Sequence, residues 1–115
     1  MKRAKYRVAK EHKASFGYAM KAVEGDVVHI GREDPEMPGW FWCKDAKGVE
    51  MWVPQTQLAI KGAEGRFTRD YNSTELSVSV GETVQILGKT LGWAECLDGE
   101  WRYGWIPLNK LEKLP

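Results

Sequence analysis

Apolar and polar side chains alternate in short segments along most of the chain, and turns rich in glycine and charged residues separate the segments. Such alternation is typical of β-strands, whose successive side chains point to opposite faces of a sheet. It predicts strands at residues 6–12, 26–31, 40–43, 49–53, 66–70, 84–87, 93–97 and 102–106. No segment has the spacing of an amphipathic helix, so the chain is expected to be all-β.

Two pairs of these segments are expected to form hairpins. Residues 45–48 read Asp-Ala-Lys-Gly and residues 98–100 read Asp-Gly-Glu, which are typical turn sequences. Pro54 should end the hydrogen-bond ladder of its strand, because proline has no N–H to donate. Residues 55–57 are then expected to form a single 3₁₀ turn that leads to Leu58.

The alternation also assigns faces to the aromatic residues. If Phe41 and Cys43 face inward, Trp40 and Trp42 must face outward. An outward indole needs a reason, and two are open for Trp40 and for Trp93: contact with a ligand or partner, or packing between two domains. The tryptophans just before the prolines, Trp52 and Trp105, are expected to be buried, and Trp101 to lie on the surface.

A glycine-tryptophan block occurs twice, at residues 39–58 and 92–111. Six matched pairs are each separated by 53 residues: Gly39/Gly92, Trp40/Trp93, Cys43/Cys96, Trp52/Trp105, Pro54/Pro107 and Leu58/Leu111. The match continues backwards with an offset of 56 between residues 25–30 and 81–86, and of 59 between residues 11–12 and 70–71. The growing offset indicates two three-residue insertions in the first copy, which surface loops tolerate.

This internal period predicts one small unit made twice. The expected domains are residues 1–60 and 61–115, with residues 59–65 as a short join between them. Many short strands in two units of this size predict two small antiparallel β-barrels in tandem. The chain is expected to be a monomer.

The net charge does not indicate a particular class of binding partner. The 115 residues contain 17 basic and 16 acidic side chains, a formal charge of +1. The first thirteen residues, however, carry +5. This segment is either a basic arm that touches phosphate or anionic lipid, or the solvated start of the first strand. No apolar run is long enough for a membrane span or a signal peptide, so a cytoplasmic protein is expected.

The residues that usually carry chemistry do not form a catalytic or metal-binding pattern. Cys43 and Cys96 occupy equivalent positions of the repeat, and each is expected to be buried within its own unit rather than joined in a disulfide. With only His12 and His29 besides, no ligand spacing for zinc is present. No nucleophile, base and acid stand at a motif spacing. We therefore expect no enzyme, no metal and no cofactor.

The second copy contains an ordered set of short motifs: residues 69–71 (Arg-Asp-Tyr), 75–77 (Glu-Leu-Ser), 81–82 (Gly-Glu), 92–93 (Gly-Trp), 104–107 (Gly-Trp-Ile-Pro) and Leu111. The first copy matches through residues 25–26, 39–40, 52–54 and Leu58. This set resembles the Src-homology-3 domains. The arrangement is similar to the tandem Src-homology-3-like proteins of bacteria and archaea that stand alone without a catalytic domain.

The resemblance implies a shallow aromatic groove that binds left-handed proline-rich helices. Acidic residues of the second copy, Glu75 with Asp70, would pair with an arginine of the ligand. The candidate ligand-binding residues are Trp40, Trp42, Pro54, Tyr71, Glu75, Trp93, Pro107 and Asn109. The chain departs from the family pattern at Gln57 and Lys110, where tyrosine is expected, and at His12, which stands in place of Tyr71 in the first copy.

The leading functional hypothesis is a non-catalytic binding module that recognises a peptide or protein partner through exposed aromatic residues. Three alternatives stay open. The basic arm and aromatic faces could bind single-stranded nucleic acid, the domains could bind cell-wall glycans, or the second barrel could have a purely structural role.

Overall fold

A computed structural model describes residues 4–115. In this part of the chain the regular structure consists of β-strands and two 3₁₀ turns, so the predicted all-β class is confirmed. The strands are β1 (Lys5–Val8), β2 (Lys21–Ala22), β3 (Val27–Glu33), β4 (Trp40–Asp45), β5 (Glu50–Pro54), β6 (Leu58–Lys61), β7 (Glu64–Phe67), β8 (Tyr71–Asn72), β9 (Thr83–Thr90), β10 (Trp93–Leu97), β11 (Tyr103–Pro107) and β12 (Leu111–Lys113). The 3₁₀ turns, Gln55–Gln57 and Leu108–Lys110, follow Pro54 and Pro107. Neither turn is long and apolar enough to cross a membrane.

The strands form three antiparallel sheets. One five-stranded sheet has the order β11-β10-β9-β1-β12, the other has the order β5-β4-β3-β7-β6, and β2 pairs with β8. Within residues 4–115 none of these sheets closes on itself into a barrel through backbone pairing.

The chain divides into two compact units, but not at the predicted position. Unit 1 contains Met1–Gly17 and Thr74–Pro115, and unit 2 contains Tyr18–Ser73. The expected division into residues 1–60 and 61–115 differs because two strands have exchanged places. Strand β1 pairs with β9 and β12 of the C-terminal half, while β7 pairs with β3 and β6 of the N-terminal half.

The two five-stranded sheets nevertheless share one arrangement. In each, three consecutive strands form a meander, and a 3₁₀ turn leads from its outer strand to the opposite edge. Matched backbone hydrogen bonds support the equivalence: Gln55 donates to Gly39 at 2.8 Å, and Leu108 donates to Gly92 at 2.9 Å. The fourth strand of the sheet comes first in the chain in unit 1 and last in unit 2.

The segment predicted to join two domains lies inside unit 2. Residues 59–65 belong to the β6–β7 hairpin, in which Lys61 is paired with Glu64. Its two turn residues begin with Gly62 at φ 62°, a conformation that glycine adopts without strain and that a tight hairpin turn needs. The chain instead passes between the units twice, after Gly17 and after Ser73.

Each unit buries an apolar set from the inward face of its strands. The core of unit 1 consists of Val8, Leu76, Val78, Val84, Ile86, Ala94, Cys96 and Ile106, with Tyr6, Leu108 and Leu111 packed partly against it. The buried apolar residues of unit 2 include Met20, Val28, Cys43, Met51, Val53, Leu58 and Phe67. The strand alternation therefore predicts most of the inward positions correctly.

The cysteines are buried in different units and both are free thiols, as the sequence predicts. Burial raises the pKa of Cys43 to about 12. Burial, together with the charge of Glu95, raises the pKa of Cys96 to about 12. Both groups are therefore neutral, small core residues at neutral pH.

Two tryptophans differ from the sequence expectation. Trp40 was predicted to face outward, but it is only 7% exposed and lies opposite Pro54, which is also buried. Alternation predicts the face of a side chain but not whether other parts of the fold cover that face, so the burial of Trp40 does not follow from the pattern. Trp105 is buried as predicted, whereas Trp52 is half-buried.

The hairpins β4–β5 and β10–β11 use the same turn. Oδ1 of Asp45 accepts from the backbone N–H groups of Lys47 and Val49, both at 2.9 Å. Oδ1 of Asp98 likewise accepts from residues two and four positions later, at 2.8 and 2.9 Å. The residue three positions after the aspartate has positive φ in both turns, and it is Gly48 in unit 2 but Trp101 in unit 1.

Asp98 is more strongly anchored than its counterpart. Its second carboxylate oxygen accepts from Nε of Arg102 at 2.7 Å. Burial by itself would raise the pKa of Asp98, but the hydrogen bonds from Arg102 and Glu100 and the charge of Arg102 outweigh it and hold the pKa below its ordinary value. The carboxylate therefore stays ionised and keeps the turn closed.

Candidate functional site

The strand exchange divides the predicted site residues between the units. Unit 2 contains Trp40, Trp42, Pro54 and Tyr71, and unit 1 contains Glu75, Trp93, Pro107 and Asn109. Tyr71 is thus placed with the tryptophan and proline of the first sequence copy. Its equivalent in unit 1 is His12, and the two acids expected to act together, Asp70 and Glu75, belong to different units.

The predicted residues of unit 1 lie at neighbouring positions around the end of the β10–β11 hairpin. Trp93 is directly opposite Pro107 in the antiparallel ladder, and both side chains are half-buried. Asn109 is exposed in the 3₁₀ turn that begins immediately after Pro107. This places an indole, a proline ring and an amide on adjoining positions of one unit, which we name the Trp93 groove together with His12, Glu75 and Lys110.

His12 contacts three other residues of the Trp93 groove: Trp93, Glu75 and Lys110. It is only 7% exposed, and its ring meets the Trp93 ring edge-on, with centroids 5.7 Å apart. Nε2 lies 2.9 Å from Oε1 of Glu75, and Nδ1 lies 2.9 Å from Nζ of Lys110. His12 therefore lies between the side chains of Lys110 and Glu75, with one ring nitrogen facing each of them.

Hydrogen bonds hold both the side chain of Glu75 and the backbone on either side of it. Its side chain is 11% exposed and also accepts from the Ser15 hydroxyl at 3.2 Å. The backbone on either side of it bonds to β11, since Trp105 donates to Thr74 at 2.9 Å and accepts from Leu76 at 3.1 Å. The carboxylate is thereby fixed beside the groove rather than free to move.

Gly104 allows this close approach. A Cβ at this position would lie 2.6 Å from the nitrogen and 2.7 Å from the Cβ of Leu76. The matching position of unit 2 is occupied by Met51, which is buried. A glycine at this position permits the close approach of the two backbone segments.

The order of polar groups in the Trp93 groove is not that of a hydrolytic triad. In such a triad the histidine lies between the nucleophile and the acid. Here the carboxylate of Glu75 lies between the Ser15 hydroxyl and the His12 imidazole, so the imidazole is not placed to remove the serine proton.

The corresponding residues of unit 2 are buried. Tyr71 is 5% exposed, its hydroxyl donates to the carbonyl of Trp52 at 3.0 Å, and its ring stacks on Phe67 at 5.4 Å between centroids. Trp40 and Pro54 are paired across β4 and β5 and are both buried. These three residues are therefore buried, whereas Trp93 and Pro107 of unit 1 are half-buried.

Trp42 belongs to a different surface. It lies opposite Trp52 in the β4–β5 ladder, with an edge-on contact of 5.1 Å between ring centroids. The guanidinium of Arg32 lies 5.4 Å from the Trp42 ring and 5.3 Å from the Trp52 ring. We name these three residues the Arg32 face.

Sequence reasoning missed three residues that shape these surfaces: His12, Lys110 and Arg32. The offset that aligns His12 with Tyr71 was a usable signal for the first. Lys110 was identified only as a departure from a family pattern. Arg32 lies next to an insertion, and its position over two indoles depends on a local irregularity of β3 that no sequence period records.

Among the residues that the structure describes, no three His, Cys, Asp or Glu side chains are grouped so that they could hold a metal ion. No protein-family model matches the chain, and no curated protein matches it significantly.

Proposed function

We propose that the protein is a non-catalytic binding module of two Src-homology-3-like domains, and that the Trp93 groove of unit 1 recognises an extended peptide segment of a protein partner. The observation that carries the proposal is the half-buried indole of Trp93 opposite Pro107, bordered by the fixed polar array of Lys110, His12 and Glu75.

The domain assignment rests on the motif resemblance and on the shared strand order of the two five-stranded sheets. The matched 3₁₀ turns after Pro54 and Pro107 agree with a duplicated unit. On this proposal each sheet curls into a small barrel.

The groove favours a ligand that is already extended and partly apolar. A proline-rich segment loses little conformational entropy on docking, and its rings can pack on flat aromatic surfaces. The carboxylate of Glu75 would select a cationic residue next to the prolines, because a carboxylate forms charge-assisted hydrogen bonds with lysine or arginine.

The basic segment at the N-terminus gives less support to nucleic-acid binding. Lys5–Val8 is strand β1 of the unit 1 sheet, and Nε of Arg7 donates to Glu112 at 2.7 Å. Part of this positive charge is therefore paired with an acidic side chain of the same sheet.

The test is a titration of the full chain with a decamer of proline and with a proline decamer that carries one arginine at each end. Six indole N–H signals in a ¹H–¹⁵N spectrum report the tryptophans separately. We expect the signal of Trp93 to shift and W93A to abolish binding, whereas W101A removes a 70% exposed indole outside the groove and should bind normally. If neither peptide shifts the Trp93 signal, the proposal is wrong.

A further inference from the structure

The Arg32 face of unit 2 has the chemistry of a second binding site, separate from the Trp93 groove. We propose that it binds a carboxylate side chain of an acidic peptide, with the neighbouring apolar residue of that peptide packed on the indoles of Trp42 and Trp52.

A β-bulge places Arg32 on this face. Between β3 and β4, Ile30 pairs with Cys43 and Glu33 pairs with Phe41, so β3 contains one extra residue over this interval. A bulge re-aims the side chains next to it. Gly31 permits the local approach, because a Cβ there would lie 2.7 Å from the carbonyl oxygen of Trp42.

The guanidinium is presented with its hydrogen-bonding edge available. Arg32 is exposed, and no carboxylate of residues 4–115 forms an ion pair with it. The guanidinium carbon lies within cation–π distance of both rings, and such a contact does not use the N–H donors of the group. The planar fork of an arginine matches the two oxygens of a carboxylate.

The acids next to Arg32 in sequence are already engaged with their own loop. Glu33 accepts from the backbone N–H of Gly39 at 2.8 Å, and Asp34 accepts from that of Glu36 at 2.9 Å. They therefore do not neutralise the arginine, but they make its surroundings acidic. Unit 2 has nine acidic and seven basic side chains in total, which disfavours a polyanion such as nucleic acid and leaves a single carboxylate as the matching ligand.

Comparison with unit 1 shows that the Arg32 face belongs to unit 2 and not to both sheets. Its sheet has a bulge at the same place, between the pairs Glu95/Gly88 and Cys96/Ile86. There the residues matching Arg32 and Trp42 are Gly88 and Glu95, and Glu95 accepts from the Tyr103 hydroxyl. The bulge is therefore common to both sheets, while the arginine and the paired indoles are a feature of unit 2 alone.

The experiment uses the full chain and an acetylated, amidated pentapeptide with glutamate between two leucines and glycine at each end. The control peptide has glutamine instead of glutamate. Binding is measured from the indole N–H shifts of Trp42 and Trp52. We expect the glutamine peptide to bind at least about tenfold more weakly, because it loses the charge-assisted pair.

Protein variants locate the effect. R32Q should lower the affinity for the glutamate peptide about tenfold or more. R32K should restore part of this affinity, because lysine keeps the positive charge but lacks the planar fork of the guanidinium. W42E, which introduces the residue of unit 1, should abolish binding. The matched control is K61Q, an equal charge change on an exposed residue of β6, at the opposite edge of the sheet from β5. It should change affinity less than about twofold, as distant exposed charges are screened.

Three results would overturn the inference: no shift of the Trp42 and Trp52 signals with the glutamate peptide, equal binding of the glutamine peptide, or an equal loss in K61Q and R32Q. Preferential, Arg32-dependent binding of a thymidine decanucleotide would also overturn it and assign the face to nucleic acid. W93A should leave this binding unchanged, so the result is independent of the proposed function.

Discussion

Trp42 of unit 2 and Glu95 of unit 1 occupy matched positions, each next to the bulge that interrupts the pairing with the preceding strand. One lies under a guanidinium and against a second indole, and the other accepts from a tyrosine hydroxyl. The inward residues on the same strands, Cys43 and Cys96, are identical and both buried. The matched inward positions of the two sheets thus hold the same residue, while the matched outward positions form two different surfaces.

The same contrast holds at the aromatic end of each sheet. Unit 1 leaves Trp93 and Pro107 half-buried beside a charged array. Unit 2 buries the matching Trp40 and Pro54 and places Tyr71 where unit 1 has His12. A difference of one residue at that position therefore accompanies a half-buried tryptophan and proline in one unit and a buried pair in the other.

The largest expected effect comes from cutting the chain. A fragment of residues 18–73 contains all five strands of the unit 2 sheet, and its ends meet, since Met20 N–H donates to Oγ of Ser73 at 2.8 Å. We expect it to unfold cooperatively on its own, although with little margin at this size. Fragments 1–60 and 61–115 should not fold separately, because each lacks the fourth strand of its sheet. Circular dichroism and denaturant titration test both expectations, and cooperative folding of 1–60 alone would contradict the strand exchange.

The next largest effect is expected for G104A, which places a methyl group against the backbone of Leu76 and the carbonyl carbon of Glu75. The backbone cannot give way easily, so we expect a loss of about 3 kcal/mol or more. The matched control is G99A, because a Cβ at Gly99 meets nothing within 4 Å. Urea unfolding should separate the two variants, and the signals of Trp93 should broaden or move in G104A before those of Trp42. Equal stability of the two variants would contradict the close approach.

A smaller effect should distinguish the two aspartate turns. D98N loses an ionised carboxylate that accepts from two backbone groups and from Arg102, so it should cost about 1–2 kcal/mol at pH 7. D45N should lower the free energy of unfolding by less. Asp45 also accepts from two backbone N–H groups, those of Lys47 and Val49, but the ion pair with arginine is a feature of Asp98.

The pH dependence of D98N follows from the lowered pKa of Asp98. The contribution of a carboxylate with a lowered folded-state pKa is complete above its ordinary pKa of 3.8 and disappears as the pH falls through the folded-state value below it. The difference in stability between wild type and D98N should therefore be constant from pH 7 to about pH 5 and shrink toward pH 2. Stability curves measured by urea unfolding at each pH check this, and a difference that persists unchanged at pH 2 would contradict the role of the charge.

The smallest effect has the opposite sign. Trp101 has φ 64° at a position where the matching residue of unit 2 is Gly48 at φ 86°. A bulky residue is strained in this conformation, so W101G should raise the free energy of unfolding by about 0.5–1 kcal/mol. W101A is the control, because it removes the exposed indole and keeps a Cβ. If W101A stabilises the protein as much as W101G, the gain does not come from the backbone.

Local features of the fold could be predicted from the sequence because they depend on residues close together in the chain. The aspartate turns, the 3₁₀ turns after Pro54 and Pro107, and the burial of Cys43 and Cys96 all follow from spacing and from side-chain chemistry. The exchange of β1 and β7 could not be predicted in this way. The two strands fit equivalent places in equivalent sheets, and alternation identifies the face of a strand but not its partner.

The candidate sites were harder to predict for a related reason. Trp93 and Pro107 were found because they recur at a fixed offset, whereas the array of His12, Glu75 and Lys110 combines residues from three distant parts of the chain. The Arg32 face depends on one extra residue in β3, and Trp40 on what covers its side of the sheet. Both are properties of the folded molecule that no sequence period contains.

The exchange of strands also has a consequence for biosynthesis. Residues 18–73 leave the ribosome as one contiguous block and can complete their sheet while translation continues. Strand β1 is made first but needs β9 and β12, so it must wait until Leu111–Lys113 have emerged. Strand β7, in contrast, is joined to β6 by a hairpin and pairs with strands made shortly before it, so its contacts are local and should form early.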